Sequence, residues 1–518
     1  MLSPRISLCF STPAFLLHAG IVRSRYALSF YYVYRHPLMT QGSTSRRRRC
    51  IDILNDDALL YIFYHCRPIL LDEGDRENLN VVLEGGRWER ERWWYKFTRV
   101  CRKWRHLILA SPSYLGISLL CKPGTPVADM LAHSPPLPII IDHLYVAANI
   151  TATAEDIEGI LLALKHRDRV RRFRLRAFVL SLERLVAAIE GGFPTLEYLY
   201  IEPMGTPDSN WSLPSTFRAP RLRHLILFYF DFPTGSTLPA ELVTLAVQLI
   251  DPPANFGANE LLQTLSLMPQ LETLGISLYP PFFEQDVEGH LLQIPSSAHV
   301  TLPNLRWFMF AGPPAYINSV RHRITMPSLE VAEIITPYIP DLDYSTYFVL
   351  QFVYKTESPR FRGVWCTFLN RCVVVTMFPN EGPTLHMQDR CGNPVGGLLS
   401  AVQRFRAMGP ALSEVELLTL ENETSSEWAH WPTGSSLRTV WHELLGLFNK
   451  VKTLHVAGGE LIEGLSRSLL PEGLENPIEV LPDLRVLSYP KGSRVGKSCR
   501  LFIAVRRKAG YPVTLACR

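Results

Sequence analysis

Residues 193–202 read FPTLEYLYIE, and the same phrase returns along most of the chain. It consists of an apolar residue, proline, any residue and leucine, then Arg or Glu, then alternating apolar positions. Further copies are APRLRHLILFYF (219–230), MPQLETLGISL (268–278), LPNLRWFMFAG (302–312), MPSLEVAEIIT (326–336) and LPDLRVLSYP (481–490). Variants are LPAELVTLAV (238–247), LSEVELLTLE (412–421), FNKVKTLHVA (448–457) and HRDRVRRFRL (166–175). A phrase that returns mostly every 19 to 36 residues indicates a repeat architecture.

The alternation inside each copy predicts a short β-strand, because apolar residues at every second position bury one face. Proline at the start blocks helix continuation and needs no ladder donor there. Helical periodicity occurs between copies, at 154–167, 182–192 and 259–267. Each unit is too small to bury its own apolar face, so the units must stack. We therefore expect an α/β leucine-rich-repeat-like solenoid over residues 121–518, with a doubly wound α/β domain as the alternative.

In such a solenoid, alternate strand residues point to the concave face and are expected to be exposed. They include aromatic and methionine side chains, which favour protein binding. The candidate substrate-binding residues are Tyr198, Tyr200, His224, Ile226, Trp307 and Met309. The alternative is that a lid or the C-terminal segment covers them.

The phrase is missing between about 337 and 411. There, YSTYFVLQFVYKT (344–356) and RCVVVTMF (371–378) are both predicted to be strands, in an insertion or in degenerate repeats. The C-terminal LFIAVRRKAGYPVTLAC (501–517) predicts a capping helix, a glycine turn and a last strand.

Upstream of the repeats, two segments have the periodicity of amphipathic helices. In IDILNDDALLYIFYHCRP (51–68), one face carries Leu59, Ile62, Phe63 and Cys66. RWWYKFTRVCRKWRHLILASP (92–112) predicts one helix, with a face formed by Trp93, Phe97, Val100, Trp104 and Leu107. Periodicity leaves three interpretations open: a partner surface, contact with nucleic acid or a membrane, and packing on the rest of the chain.

The motifs L-x-D-D-x-L-L-x-x-I-F and W-W-x-K-F-T-x-V-C-R-K-W-R-x-L-I-L-x-S-P resemble an F-box, in the form common in large families of mushroom-forming fungi. The following LLCKPGTPVADMLAHSPPLPIIIDH (119–143) is also similar to those proteins. The resemblance places the F-box at 51–120 and covers 51–145 well. It departs from the family at Asn55, where proline is usual, and in the insertion 67–92.

The resemblance implies an α+β chain, in which a small all-α F-box precedes the α/β solenoid. It also implies binding to the Skp-family adaptor of a cullin-RING (SCF) ubiquitin ligase. The implied adaptor contacts are Leu54, Leu59, Ile62, Phe63, Val100, Cys101, Trp104 and Leu107. Some of these residues are expected to be internal core of the F-box.

Composition and motifs exclude several other classes of protein. The 518 residues are 47% apolar, far too many for a disordered chain, and contain no clean apolar stretch of membrane-spanning length. A net charge of +5 does not argue for nucleic acid. The ten cysteines are scattered without CxxC, which favours a reducing cytoplasmic or nuclear location. GSRVGKS (492–498) lacks one residue of a phosphate-binding loop, and His442-Glu443 lacks a second zinc histidine.

Residues 1–50 contain no Asp or Glu and end in the basic run Arg46–Arg49. Three interpretations stay open: a targeting segment, a disordered extension, and a start of translation at Met39.

The leading hypothesis for function is a non-catalytic substrate-recognition subunit of a ubiquitin ligase, without cofactor or metal, binding an unknown protein substrate. The second is a repeat scaffold that does not assemble into a ligase. The third is an enzyme with a site in 337–411.

Overall fold

In the computed structural model of the chain, the described residues are 54–66, 93–144, 153–205, 207, 210–232, 238–249, 258–278, 299–312, 316–317, 320, 322–336, 343–354, 359–391, 393–423, 435–457, 459–470, 480–491 and 496–517. The chain divides into two compact units, Met1–Ala188 and Ile189–Arg518. The leader 1–50, the insertion 67–92 and the glycine motif at 492–495 lie outside the described residues.

The first unit begins with helices and continues into a small parallel sheet. Its helices are α1 (Asp56–His65), α2 (Trp93–Thr98), α3 (Arg102–Ala110), α4 (Pro112–Leu115), α5 (Val127–His133), α6 (Ala154–Leu164) and α7 (Val179–Ala188). Its strands are β1 (Leu119–Cys121), β2 (Ile139–His143) and β3 (Val170–Phe178), all parallel to their neighbours.

The second unit is built around a large, mostly parallel sheet. Its strands are β4 (Tyr198–Met204), β5 (His224–Phe228), β6 (Thr244–Leu249), β7 (Thr273–Leu278), β8 (Val300–Thr301), β9 (Trp307–Ala311), β10 (Ile324–Thr325), β11 (Val331–Thr336), β12 (Phe361–Phe368), β13 (Cys372–Pro379), β14 (Thr384–Arg390), β15 (Leu417–Asn422), β16 (Thr453–Ala457), β17 (Val486–Tyr489) and β18 (Thr514–Cys517). Its helices are α8 (Ala258–Ser266), α9 (Asp343–Tyr354), α10 (Pro394–Met408), α11 (Ser435–Gly446), α12 (Gly459–Ser468) and α13 (Lys497–Lys508), with a 3₁₀ turn at Gly409–Leu412.

The strand order in this unit is β4-β5-β6-β7-β9-β11-β14-β13-β12-β15-β16-β17-β18, while β8 and β10 form a separate pair. The chain is therefore of mixed α/β class. All ten copies and variants of the phrase contain a strand, and the C-terminal segment forms the predicted helix, a turn at Gly510 with φ +89°, and strand β18.

Each copy of the phrase starts with a β-turn that its proline helps to form. The leucine N–H donates to the carbonyl of the apolar residue three positions earlier, as from Leu196 to Phe193 (3.3 Å) and from Leu271 to Met268 (3.2 Å). Proline thus occupies the second turn position, where its fixed φ is favourable. The leucine itself is buried, at 0% exposure for both Leu196 and Leu271.

The backbone carbonyl of the residue after that leucine connects one strand to the next by hydrogen bonds. The Glu272 carbonyl accepts N–H groups from both Arg306 (2.9 Å) and Trp307 (3.1 Å), and the Arg306 carbonyl accepts from Glu330 and Val331 in the same way. This repeated bond sets the same register for successive parallel strands.

The region without the phrase, about 337–411, has a different architecture from the repeats on either side. It also differs in part from what the sequence predicts. Residues 344–356 were predicted to be a strand, but most of them lie in helix α9, so that prediction is wrong. RCVVVTMF forms β13 as expected, yet β13 runs antiparallel to both β12 and β14. Strand β14 pairs with β11, and β12 pairs with β15, so this block is inserted into the parallel order.

A buried ion pair connects strand β14 of this inserted block to helix α10. Arg404 of α10 donates from Nε to Asp389 Oδ2 at 2.8 Å and also bonds Asp389 Oδ1 through Nη2. Three hydroxyls complete the network: Thr336 and Ser400 each donate to Asp389 at 2.7 Å, and Thr346 accepts from Arg404 at 3.1 Å. Burial alone would raise the pKa of Asp389, but Arg404 and the two hydroxyls outweigh it and hold that pKa below its usual value.

Replacement of Arg404 is expected to be severely destabilising. Arg404→Met leaves the Asp389 carboxylate buried without its counter-ion, which costs about 3–5 kcal/mol of unfolding free energy. Urea unfolding followed by circular dichroism measures the loss. The control is Lys450→Ala, which removes an exposed ion pair with Glu414 and is expected to change nothing measurable. Equal unfolding midpoints for the two variants would contradict the structural role of Arg404.

Candidate functional site

The first candidate site lies on the helices of the first unit. Helix α1 begins at a cap formed by Asn55, whose Oδ1 accepts from the Ala58 N–H at 2.8 Å. Asparagine is among the best capping residues, so Asn55 supplies a good start to this helix. The carboxylates of Asp56 and Asp57 lie in the first turn, where the helix dipole favours negative charge.

An aromatic cluster forms the interior of these helices. The Phe63 ring lies 4.8 Å from that of Trp104 and 5.4 Å from that of Phe97, measured between centroids. Leu59, Phe63 and Ile108 are buried, with at most 1% exposure. Leu59 and Phe63 are therefore core of the helical segment, and they are among the implied adaptor contacts that were expected to be internal.

The second predicted helix is two helices, α2 and α3. The backbone at Cys101 is extended, and its Sγ accepts from the Trp104 N–H at 3.5 Å, so Cys101 caps α3. Arg105 Nε donates to the Thr98 carbonyl at 3.0 Å across the break. Val100 thus lies between the helices rather than on a shared face, and its side chain is 59% exposed.

The other predicted adaptor contacts divide by exposure. Ile62 is 43% exposed and Cys101 is exposed, whereas Leu54, Trp104 and Leu107 are half-buried. Lys103 fixes the start of α1 from the side, through an ion pair of 3.1 Å to Asp56 and a hydrogen bond of 3.4 Å to the Leu54 carbonyl. Ile62, Val100 and Cys101 are the predicted contacts that are exposed in the structure.

Exposed apolar and aromatic side chains are concentrated here. Of fifteen large ones exposed in the described part of the chain, six lie between residues 61 and 114. They are Tyr61, Ile62, Tyr64, Tyr95, Val100 and Tyr114. A small helical segment with this much uncovered apolar surface is typical of a protein-binding element.

Part of the arginine-rich stretch 167–176 is structural. Arg174 of β3 pairs with Asp142 of β2 at 3.3 Å, and both side chains are largely buried. Arg169 Nε donates to the Leu137 carbonyl at 2.9 Å.

The second candidate site is the face of the second unit's sheet opposite its leucine-rich face. We call it the strand face and define it as the side chains that alternate, along each strand, with the buried ones. Three cross-strand pairs illustrate it. Tyr198 pairs in register with His224, Tyr200 with Ile226, and Thr273 with Trp307. All six predicted substrate-binding residues lie on this face, as predicted: Tyr198, Tyr200, His224, Ile226, Trp307 and Met309.

These six side chains were expected to be exposed, but the structure has them half-buried. Neighbouring strands cover them in part: the Tyr198 and His224 rings are 5.6 Å apart, and the Tyr200 and Phe228 rings 5.5 Å. His224 Nδ1 also lies 3.1 Å from Thr244 Oγ1. The strand face is therefore a close-packed surface rather than a set of projecting side chains.

The C-terminal half of the strand face adds polar residues that sequence reasoning missed. Trp365 Nε1 donates to Glu421 Oε2 at 3.0 Å. His386 Nδ1 lies 2.8 Å from Thr376 Oγ1, and His455 Nδ1 lies at the same distance from Ser488 Oγ. Alternation along each strand would have identified Glu421 and His455, but Trp365 and His386 follow no copy of the phrase.

The described residues include no group of His, Cys, Asp and Glu arranged to hold a metal ion. Over the same residues, no helix has both the length and the apolar composition needed to cross a bilayer.

Alanine substitution of two neighbouring apolar residues of α1 distinguishes a core position from a surface position. Phe63→Ala is expected to lower the unfolding free energy of the first unit by about 3–5 kcal/mol, because it leaves a cavity between Phe97 and Trp104. Ile62→Ala should cost less than about 1 kcal/mol, because its side chain is largely exposed. Urea unfolding compares them, and similar losses would refute the assignment of Ile62 to the surface.

The strand face should also be sensitive to acid. Burial lowers the pKa of His386 from 6.5 to about 4. Between these pH values the unfolded chain binds the proton and the folded chain does not, so stability falls as pH is lowered through this window. His386→Gln should remove about 2 kcal/mol of the stability difference between pH 7 and pH 5. Urea titrations of the wild type and of His386→Gln at both pH values test this prediction. The buried His143 is present in both proteins, so its contribution to the pH dependence cancels. Identical pH dependence of the two proteins would reject the prediction.

Comparison with models of known protein families and with curated proteins finds no match to this chain. The F-box assignment therefore remains a prediction from the sequence motif.

Proposed function

We propose that the chain is a substrate-recognition subunit of an SCF ubiquitin ligase. Its helices α1 to α4 would bind the Skp-family adaptor, and its repeats would form a leucine-rich-repeat-like solenoid that holds a target protein. The observation that carries the proposal is the V-C-R-K-W-R motif, on helices that leave Ile62 and Val100 exposed.

The proposed mechanism is proximity rather than catalysis by this chain. Holding adaptor and target at once raises the effective concentration of target lysines near the ubiquitin-carrying enzyme. Ubiquitin would travel on a cysteine of another subunit, and the protein would act in the cytoplasm or nucleus. Two thiols of the second unit fit this division: burial raises the pKa of Cys366, and it raises the pKa of Cys391 to about 12, which disfavours a nucleophilic thiolate at either residue.

Co-expression of the full chain with a fungal Skp-type adaptor, followed by size-exclusion chromatography, tests the proposal. A stoichiometric complex is expected for the wild type. The double variant Ile62→Asp/Val100→Asp should lose it, with affinity reduced more than about thirtyfold, because both changes place charge in an apolar interface. Leu59→Asp is unsuitable, since Leu59 is buried.

The matched control is Leu267→Asp, which changes an exposed leucine of the second unit and should retain the complex. Separate elution of a folded wild-type chain and adaptor would reject the ligase proposal in favour of the repeat scaffold.

A further inference from the structure

The part of the sequence that contains strand β17, helix α13 and strand β18 is strongly basic. Residues 484–518 include nine Lys and Arg residues and neither Asp nor Glu. This local excess of positive charge is larger than the net charge of +5 of the full chain. Such a concentration of one sign of charge creates a positive potential that attracts anionic partners.

One of these basic residues has a structural role inside the protein. Arg506 of α13 is buried, and its guanidinium donates to the carbonyls of Val480, Leu481 and Pro482 at 3.0–3.1 Å. Arg506 thus connects α13 to the turn that precedes β17. It is occupied by these contacts and takes no part in the surface described next.

The opposite side of α13 is exposed and carries four further cations. We call it the basic stripe and define it by six exposed side chains at helical spacing: Lys497, Arg500, Leu501, Ala504, Arg507 and Lys508. With 3.6 residues per turn, these positions occupy about one third of the circumference of the helix. Among the residues that the structure describes, none forms an ion pair with the four cations of the stripe.

The stability of α13 accounts for only half of these cations. Arg507 and Lys508 lie in the last turn, where the helix dipole favours positive charge. Lys497 lies in the first turn, where the dipole disfavours it, and Arg500 is a like charge three positions away on the same face. The two cations near the start of α13 therefore cost stability in the chain alone, and an anionic partner would remove that cost.

An exposed leucine selects among the possible anionic partners. Leu501 is 54% exposed and forms the centre of the stripe with Ala504, while two cations lie toward each end. A nucleic-acid backbone presents phosphates but no apolar group to cover this centre. A protein segment can present carboxylates and an apolar side chain together.

The buried side of α13 argues against a membrane surface as the partner. A helix that binds a bilayer inserts an apolar face between the lipids. In α13 that face consists of Cys499, Phe502 and Ile503, which are buried within the protein. Only Leu501 remains on the outer side as a large apolar residue.

We propose that the basic stripe docks an acidic segment of a partner protein, whose carboxylates pair with Lys497, Arg500 and Arg507 around an apolar side chain placed on Leu501. At the rise of an α-helix the stripe is about 17 Å long. This length matches about five residues of extended peptide. The stripe shares no residue with helices α1 to α4 or with the strand face, so the inference does not rest on the ligase proposal.

Fluorescence anisotropy of a labelled peptide, titrated with the full chain, tests the inference. The probe contains two Glu-Glu-Leu-Glu-Glu blocks, and it should bind at least about tenfold more tightly than the same peptide with Gln in place of Glu. Replacing its leucines by serine should weaken binding by about threefold, because the contact with Leu501 is lost. High salt should weaken binding of the original peptide.

The variant Lys497→Glu/Arg500→Glu should bind the acidic peptide more than about tenfold more weakly. Carboxylates near the start of a helix are favoured by its dipole, so this variant is expected to fold, and thermal unfolding followed by circular dichroism verifies it. The matched control is Arg221→Glu/Arg223→Glu, which makes the same change in net charge at two exposed arginines of the second unit. It should bind within about twofold of the wild type.

The inference is overturned if the wild type does not bind the acidic peptide, or if the control variant loses binding as fully as Lys497→Glu/Arg500→Glu. It is also overturned if an oligothymidylate, or vesicles containing phosphatidylserine, bind the stripe more tightly than the peptide does. Adaptor co-elution is measured separately, so a chain that binds the adaptor but not the acidic peptide refutes this inference alone.

Discussion

The backbone bond between successive copies of the phrase is the constraint on which the second unit depends. The carbonyl after each buried leucine, as at Glu272 and Arg306, receives two N–H groups from the following strand. This fixes the register, so equivalent positions of neighbouring strands lie side by side. Leucines then form one continuous buried layer, and the intervening residues form the rows of the strand face. No single copy has enough apolar surface to be stable, so burial is shared between neighbours.

The block from β12 to β14 is held in place by different interactions. It has no phrase leucines, and its antiparallel β13 separates strands that are otherwise parallel. Here a buried ion pair, Asp389 with Arg404, connects β14 to α10 and reaches Thr336 at the end of β11. Such pairs contribute little net stability over apolar contacts, but removing one partner is costly, so they specify one arrangement of the elements.

The sequence predicted the strands well because two signals coincide in each copy. The turn chemistry of proline marks where the strand begins, and alternation marks its two faces. Helix α9 was missed because YSTYFVLQFVY is apolar at most positions, and a continuous apolar run does not distinguish helix from strand. The break before α3 was missed because apolar spacing continues through it, while the cap is supplied by a cysteine thiol, which is an uncommon capping group.

Of the candidate sites, the sequence located the strand face but misjudged how open it is. Side chains such as Tyr198 and His224 cover one another across strands, and this depends on a register that one strand alone does not contain. Likewise, the roles of Leu59 and Ile62 depend on where Trp104 packs, and that contact joins residues about forty positions apart in the chain.

The order of the inserted strands has a consequence for synthesis on the ribosome. From β4 to β11, each new main-sheet strand can join the one made just before it, so the sheet grows with local contacts. Strand β12 has no finished neighbour when it emerges, because its partners β13 and β15 follow it, and the place beside β11 belongs to β14. Growth of the sheet therefore halts at Thr336 until the chain has emerged as far as Arg390. During this interval the free edge of β11 and the apolar faces of β12 and β13 are uncovered, and such surfaces favour aggregation of an incompletely folded chain.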